Sequence, residues 1–176
     1  MTQYRRSFIA GGYYFFTVAL AERSSNLLTA EINWLKKSFC GVKEQKPFRI
    51  DALVVLPDHL HCIWVLPPGD ADYPTRWKMI KAFFSRGMPK TEQRSASRRQ
   101  KGERGIWQRR YWEHTLRNEI DWRRHMDYIH FNPVKHAYVQ RVRDWPYSTF
   151  HRYVRQGIYT LDWGGDSVVQ ERVFGE

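Results

Sequence analysis

Two apolar segments, residues 48–56 and 60–66, stand back to back with only Pro57-Asp58-His59 between them. Proline fixes its own φ and gives up its amide, and aspartate hydrogen-bonds nearby backbone, so this pair turns the chain. A tight reversal between two β-rich runs makes them antiparallel neighbours. The rest of the chain must fit around that hairpin. Upstream, residues 13–20 (YYFFTVAL) read as a strand. Thr29 then reads as the N-cap of a helix in which Ile32, Leu35, Phe39 and Val42 recur at helical spacing. After Pro67-Pro68-Gly69-Asp70 closes the hairpin, Thr75 reads as a second N-cap. Trp77, Ile80 and Phe84 share one face of that helix, which ends at Gly87-Met88-Pro89. Residues 106–116 (IWQRRYWEHTL) hold a fourth strand.

The order strand, helix, strand, strand, helix, strand is the split βαβ, or ferredoxin-like, pattern of the α+β class. It predicts an antiparallel sheet with helices on one face, followed by C-terminal helices. Asn118 caps a third helix, with Asp121 at the capping-box position. Trp122, Met126 and Ile129 form its apolar stripe, and Pro133 is expected to limit it. A shorter helix follows over 148–155. The reading is one domain over residues 1–155 and an irregular tail over 156–176. Within the domain, residues 90–105 (KTEQRSASRRQKGERG) carry six Lys or Arg and read as a flexible basic loop.

Charge narrows the partners. Lys plus Arg number 29 against 18 Asp plus Glu, a net charge of +11, and aromatics make up 16% of the chain. A basic, aromatic-rich domain attracts polyanions, nucleic acid first. The basic and aromatic set includes Tyr4, Arg5, Arg6, Arg109, Arg110, Arg117, Arg123, Arg124, Lys135 and His136. Arginine and lysine position a strand through its phosphates, and aromatic rings stack on unpaired bases. Cys40 and Cys62 both lie in apolar segments and read as buried thiols of a reducing cytoplasm. No Cys-x-x-Cys pair, Gly-rich phosphate loop or Gly-x-Ser-x-Gly elbow is present. The aromatic run at 13–20 is too short to span a membrane.

Two constellations carry possible chemistry. In His59-Leu60-His61 the histidines alternate along a strand, so both imidazoles emerge on one side of the sheet. They read either as the start of a metal site or as two polar residues at a strand end. On the third helix, Asp121, His125, Tyr128 and Asn132 stand at i, i+4, i+7 and i+11 and line one face beside the apolar stripe. On periodicity alone Tyr128 is a boundary core residue, and His125 and His130 read equally as surface.

The run Val54-Val55-Leu56-Pro57-Asp58-His59-Leu60-His61-Cys62-Ile63-Trp64 resembles the His-hydrophobic-His motif of the IS200-like single-tyrosine transposases. Downstream, Asp127-Tyr128-Ile129-His130-Phe131-Asn132-Pro133-Val134-Lys135-His136 is similar to the tyrosine motif of one branch, the REP-associated tyrosine transposases. The resemblance implies that His59 and His61, with Asn132 as a third ligand, bind Mg²⁺ or Mn²⁺. It implies that Tyr128 is the nucleophile of a single-strand DNA endonuclease and strand transferase working through a 5′-phosphotyrosine. It implies a substrate: a repetitive extragenic palindrome hairpin with a short flanking tetranucleotide, read with help from Tyr4, Arg5, Arg6, Arg109, Arg110, Arg124 and Lys135. It favours a monomer over a homodimer, and a cytoplasmic, nucleoid-associated location without a membrane. The alternative from another class is a non-catalytic DNA- or RNA-hairpin-binding module on a ferredoxin-like sheet. Cleavage by the wild type and its loss in a Tyr128 variant separates the two.

Overall fold

The structure is a computed structural model and describes residues 6–165. Four strands, β1 (Tyr13–Ala19), β2 (Arg49–Val55), β3 (His59–Val65) and β4 (Trp112–Thr115), form one antiparallel sheet in the order β2-β3-β1-β4. The β2–β3 hairpin closes where expected: the Leu56 amide donates to the His59 carbonyl at 2.8 Å, and Val55 pairs with Leu60. The helices are α1 (Leu27–Ala30), α2 (Ile32–Gln45), α3 (Tyr73–Arg86), α4 (Ala96–Gln100), α5 (Glu119–Lys135) and α6 (Phe150–Arg155), with a 3₁₀ turn at Val142–Asp144. The chain is thus α+β with the ferredoxin-like order.

Strand alternation divides the interior in two. Tyr14, Phe16 and Val18 of β1 and Leu60, Cys62 and Trp64 of β3 face α2 and α3. There Trp64 and Trp77 stack at 4.2 Å, and burying rings of that size contributes ~2–3 kcal/mol each. Phe15 of β1, Ala52 and Val54 of β2 and Ile63 of β3 face the other way, against Met126 and Ile129 of α5 and Tyr153 of α6. The two crossover helices therefore share one face, and the C-terminal helices cover the second. Because His59 and His61 alternate with Leu60, they lie on the α5 face.

Several local expectations need correction. Thr29 lies inside α1 and its hydroxyl donates to the Asn26 carbonyl. Asp72, not Thr75, caps α3 by accepting from the Thr75 amide at 3.1 Å; Pro74 in the first turn has no amide to leave unpaired. Pro133 does not stop α5 at once: the helix runs on to Lys135 with Pro133 inside its last turn, where the missing amide forgoes one intrahelical hydrogen bond. Asp121 does not close the capping box on Asn118: its carboxylate accepts from the Arg117 amide, although Asn118 caps the helix as expected. Cys40 is exposed, and only Cys62 is buried. His130 is wholly buried, 2.9 Å from the Thr149 hydroxyl.

The basic loop is not featureless. Ser95 caps the short α4, and the Arg104 guanidinium pairs with Glu92 and reaches the carbonyls of Ser85, Met88 and Pro89. The described part of the tail is packed as well: Tyr159 donates to Asp127 at 2.8 Å, and its ring packs tilted against Trp163 at 4.6 Å. Tyr4 and Arg5 lie outside the described residues.

Candidate active site

Helix α5 is the element that assembles the site. Asn118 holds its first turn, and Met126 and Ile129 seat it on β2 and β3. At 3.6 residues per turn this seating turns Tyr128 and Asn132 toward β3, where the histidines emerge. Tyr128 is half-buried, with its ring 5.2 Å from that of His61 and 5.9 Å from Phe15. The Lys135 ammonium lies 5.0 Å from the centre of the Tyr128 ring.

Each histidine is oriented by its second nitrogen. Thr17, directly opposite His61 in the β1–β3 register, places its hydroxyl 2.8 Å from His61 Nδ1. Asp58, in the turn, places a carboxylate oxygen 2.7 Å from His59 Nδ1, and Arg23 pairs with that carboxylate at 2.7 Å. Donation by both Nδ1–H groups to these oxygens would leave the Nε2 atoms as bases, an arrangement common behind metal-ligating histidines. The rings are 5.0 Å apart. Desolvation lowers the His59 pKa despite Asp58, and lowers that of His61 much further, aided by the nearby charges of His59, His136 and Lys135. Both imidazoles are therefore neutral near pH 7, the state a metal ligand requires.

Buried polar atoms test whether a cation suits these residues. His61 Nε2 and both amide atoms of Asn132 are buried without a hydrogen-bond partner. An unpaired buried polar group costs ~1–3 kcal/mol, so a ligand that paired with these atoms would remove that cost. Two neutral imidazole nitrogens and an amide oxygen form a donor set that fits a divalent cation.

The other residues expected at the DNA surface are dispersed. Arg6 lies over the Tyr111 ring at 4.6 Å and pairs with buried Glu113 at 3.8 Å, toward the α3 side of the sheet. Arg109 pairs with Glu103 at 2.7 Å and contacts Ser97, tying it to the basic loop. Arg110 and Arg124 are exposed. Only Lys135 joins Tyr128. Thr17 and Arg23 were missed, because sequence spacing carries no signal for partners brought in from other segments; Asp58, next to His59, was read only as a turn residue. A further group, His114, Asp121 and His125, gathers where β4 meets α5.

No protein-family model matches the chain. It is 49% identical over 166 residues to the REP-associated tyrosine transposase of Escherichia coli (strain K12), covering 94% of this chain and 93% of that protein. A solved structure of a REP-associated tyrosine transposase bound to a REP hairpin superposes with a TM-score of 0.82 at 48% identity. It covers 100% of this chain and 98% of that one.

Proposed function

Since the chain belongs to the REP-associated tyrosine transposases, we propose that it cuts and rejoins single-stranded DNA at REP-type hairpins, with Tyr128 as nucleophile. The observation that carries this reading is the Tyr128 ring packed 5.2 Å from the His61 imidazole, whose Nε2 is buried without a hydrogen-bond partner.

In this reading His59, His61 and Asn132 hold a divalent cation, Mg²⁺ or Mn²⁺. When bound, the cation neutralises charge on the scissile phosphate and stabilises the transition state. Tyr128 Oη attacks the phosphorus. The Oη–P bond forms, the P–O3′ bond breaks, the phenolic proton is lost, and the departing O3′ takes up a proton as a free hydroxyl. A phenol of ordinary pKa near 10 is a weak nucleophile at neutral pH. The Lys135 ammonium beside its ring favours the developing phenolate. Thr17 and Asp58 keep the imidazoles in the required tautomer. Attack by a 3′-hydroxyl on the phosphotyrosine reverses the step, so rejoining needs no nucleotide cofactor.

The hairpin partner follows from the relative that was solved with one and from the net charge of +11. Phosphate contacts by Arg5, Arg6, Arg109, Arg110, Arg124 and Lys135 position the strand, and Tyr4 adds to this set. That one chain carries the whole set supports a monomer over a homodimer, and a DNA substrate supports action at the nucleoid. Among the described residues no helix is long and apolar enough to cross a membrane.

The test is cleavage of 5′- and 3′-labelled single-stranded hairpins, taken from repeats flanking the gene, with Mg²⁺ or Mn²⁺. Wild type is expected to give a covalent adduct on the 5′ end, which Tyr128→Phe and His61→Ala both lose. Tight hairpin binding by a wild type that never cuts would replace this reading with a binding module.

A further inference from the structure

A second group of ligand-type side chains lies outside the set given to cleavage. His114 comes from the edge strand β4; Asp121 and His125 come from the first turns of α5, at i and i+4 on one face. Asp121 meets both imidazoles: Oδ2 is 2.9 Å from His114 Nε2, and His125 Nδ1 lies 3.1 Å from Oδ1 and 2.8 Å from the Asp121 backbone carbonyl. One ligand atom from each residue lies within 4.8 Å of the other two. The imidazoles are stacked at 5.0 Å and inclined by only 20°, and Trp112 stacks outside His114 at 8°. The three side chains are 21–29% exposed, so a cation can enter from solvent while the Trp112 ring shields one side.

The protonation states suit ligation. Burial opposes ionisation of Asp121, but the hydrogen bonds from His114 and the Arg117 amide outweigh it and hold the carboxyl below its usual range. Desolvation, the largest influence on His125, lowers its pKa even though Asp121 raises it. An ionised carboxylate beside a neutral imidazole is the state a cation requires. Two imidazole nitrogens and one carboxylate oxygen make a borderline donor set, which prefers Zn²⁺ or Co²⁺ to the harder Mg²⁺.

We propose that His114, Asp121 and His125 form a separate site for a divalent transition cation of the Zn²⁺ class, which fastens the start of α5 to the edge strand β4. Strand β4 is paired only to β1, so this junction is where α5 meets the least supported strand. The cation replaces the imidazole protons now directed at Asp121 and adds a bridge to the ring stacking and hydrogen bonds that already join the two elements there. Phe15 continues the contact inward, 4.7 Å from His125 and 5.9 Å from Tyr128, so the clamp steadies the helix that carries the tyrosine. The proposal uses none of His59, His61, Asn132 or Tyr128, and either reading can fail alone.

The test titrates Co²⁺ into the metal-free full chain carrying His59→Ala and His61→Ala, following its visible absorption. One equivalent is expected to bind, to be displaced by Zn²⁺, and to raise Tm. Adding His114→Gln should weaken binding by more than about 100-fold, since even an outer-shell partner is worth about 10- to 100-fold. His125→Gln should do the same, while both variants keep the parent's circular dichroism. If the double-alanine background does not fold, wild type serves instead, and each glutamine variant should remove one of two bound equivalents. No binding in the folded background, or binding that both glutamine variants leave intact, overturns the proposal and leaves Asp121 as a hydrogen-bonded staple.

Discussion

Thr17 reaches the site only as the cross-strand partner of His61, where its hydroxyl lies 2.8 Å from Nδ1. Thr17→Val keeps shape and removes that hydrogen bond. The expected result is cleavage reduced by ~10–100-fold with a higher Mn²⁺ requirement, and hairpin affinity unchanged. A loss of binding equal to the loss of cleavage would contradict this assignment. At the other end of the site helix, Ala137 holds a positive φ of 57°. The Tyr138 amide donates to the Pro133 carbonyl at 3.0 Å and the Ala137 amide to Val134 at 2.9 Å, closing the last turn as a Schellman motif. A residue with a Cβ is strained there by ~1 kcal/mol. Ala137→Gly should therefore raise stability in urea by ~0.5–1 kcal/mol; destabilisation would mean that chain entropy outweighs the strain.

Among the elements, the segment over 90–105 departs furthest from its composition. Six positive charges and almost no apolar side chains imply a solvated coil. One of those charges, Arg104, instead anchors the segment to the end of α3 through Glu92 and three carbonyls. Its hydrogen bonds depress the Glu92 carboxyl from 4.5 to about 2. A depressed carboxylate contributes stability that is full above the unfolded value and is lost as pH falls through the folded one. The stability difference between wild type and Glu92→Gln should be ~1–2 kcal/mol at neutral pH, given the partial exposure of the pair. It should shrink as pH falls from 4.5 towards 2. Urea unfolding across that range measures it, and a difference independent of pH would show that the ion pair is not its source.

For the molecule as a whole, what matters is that α5 lies on the sheet of its own chain, placing Tyr128 beside His61 without a second copy. Under the proposed mechanism Tyr128→Phe would lack the nucleophile and His61→Ala a ligand, so an equimolar mixture should form no covalent adduct if each chain acts alone. Recovery of a substantial fraction of wild-type adduct would mean that α5 is exchanged between chains, and would overturn the monomer reading. The second face of the sheet also explains why the described tail is ordered against the domain. Tyr159 and Trp163 complete the cover over Phe150 and His130, with Tyr159 tied to α5 through Asp127.

Periodicity is a local property, and what depends on it was legible in the sequence. The Pro57-Asp58 reversal and the two β-rich runs beside it fixed the hairpin. The two-residue repeat put His59 and His61 on one face, and the helical repeat aligned Tyr128 with Asn132. Which face α5 would cover was not local. Met126 and Ile129 had to find Ala52, Val54 and Ile63 far back in the chain before the tyrosine could meet the histidines. The same holds for Thr17 behind His61, for His130, whose polar ring is buried against Thr149, and for His114 meeting Asp121 and His125. Each of these pairs joins residues whose separation follows no helical or strand period. Their meeting is decided by burial of the two apolar faces of the sheet, a balance struck over the whole chain at once.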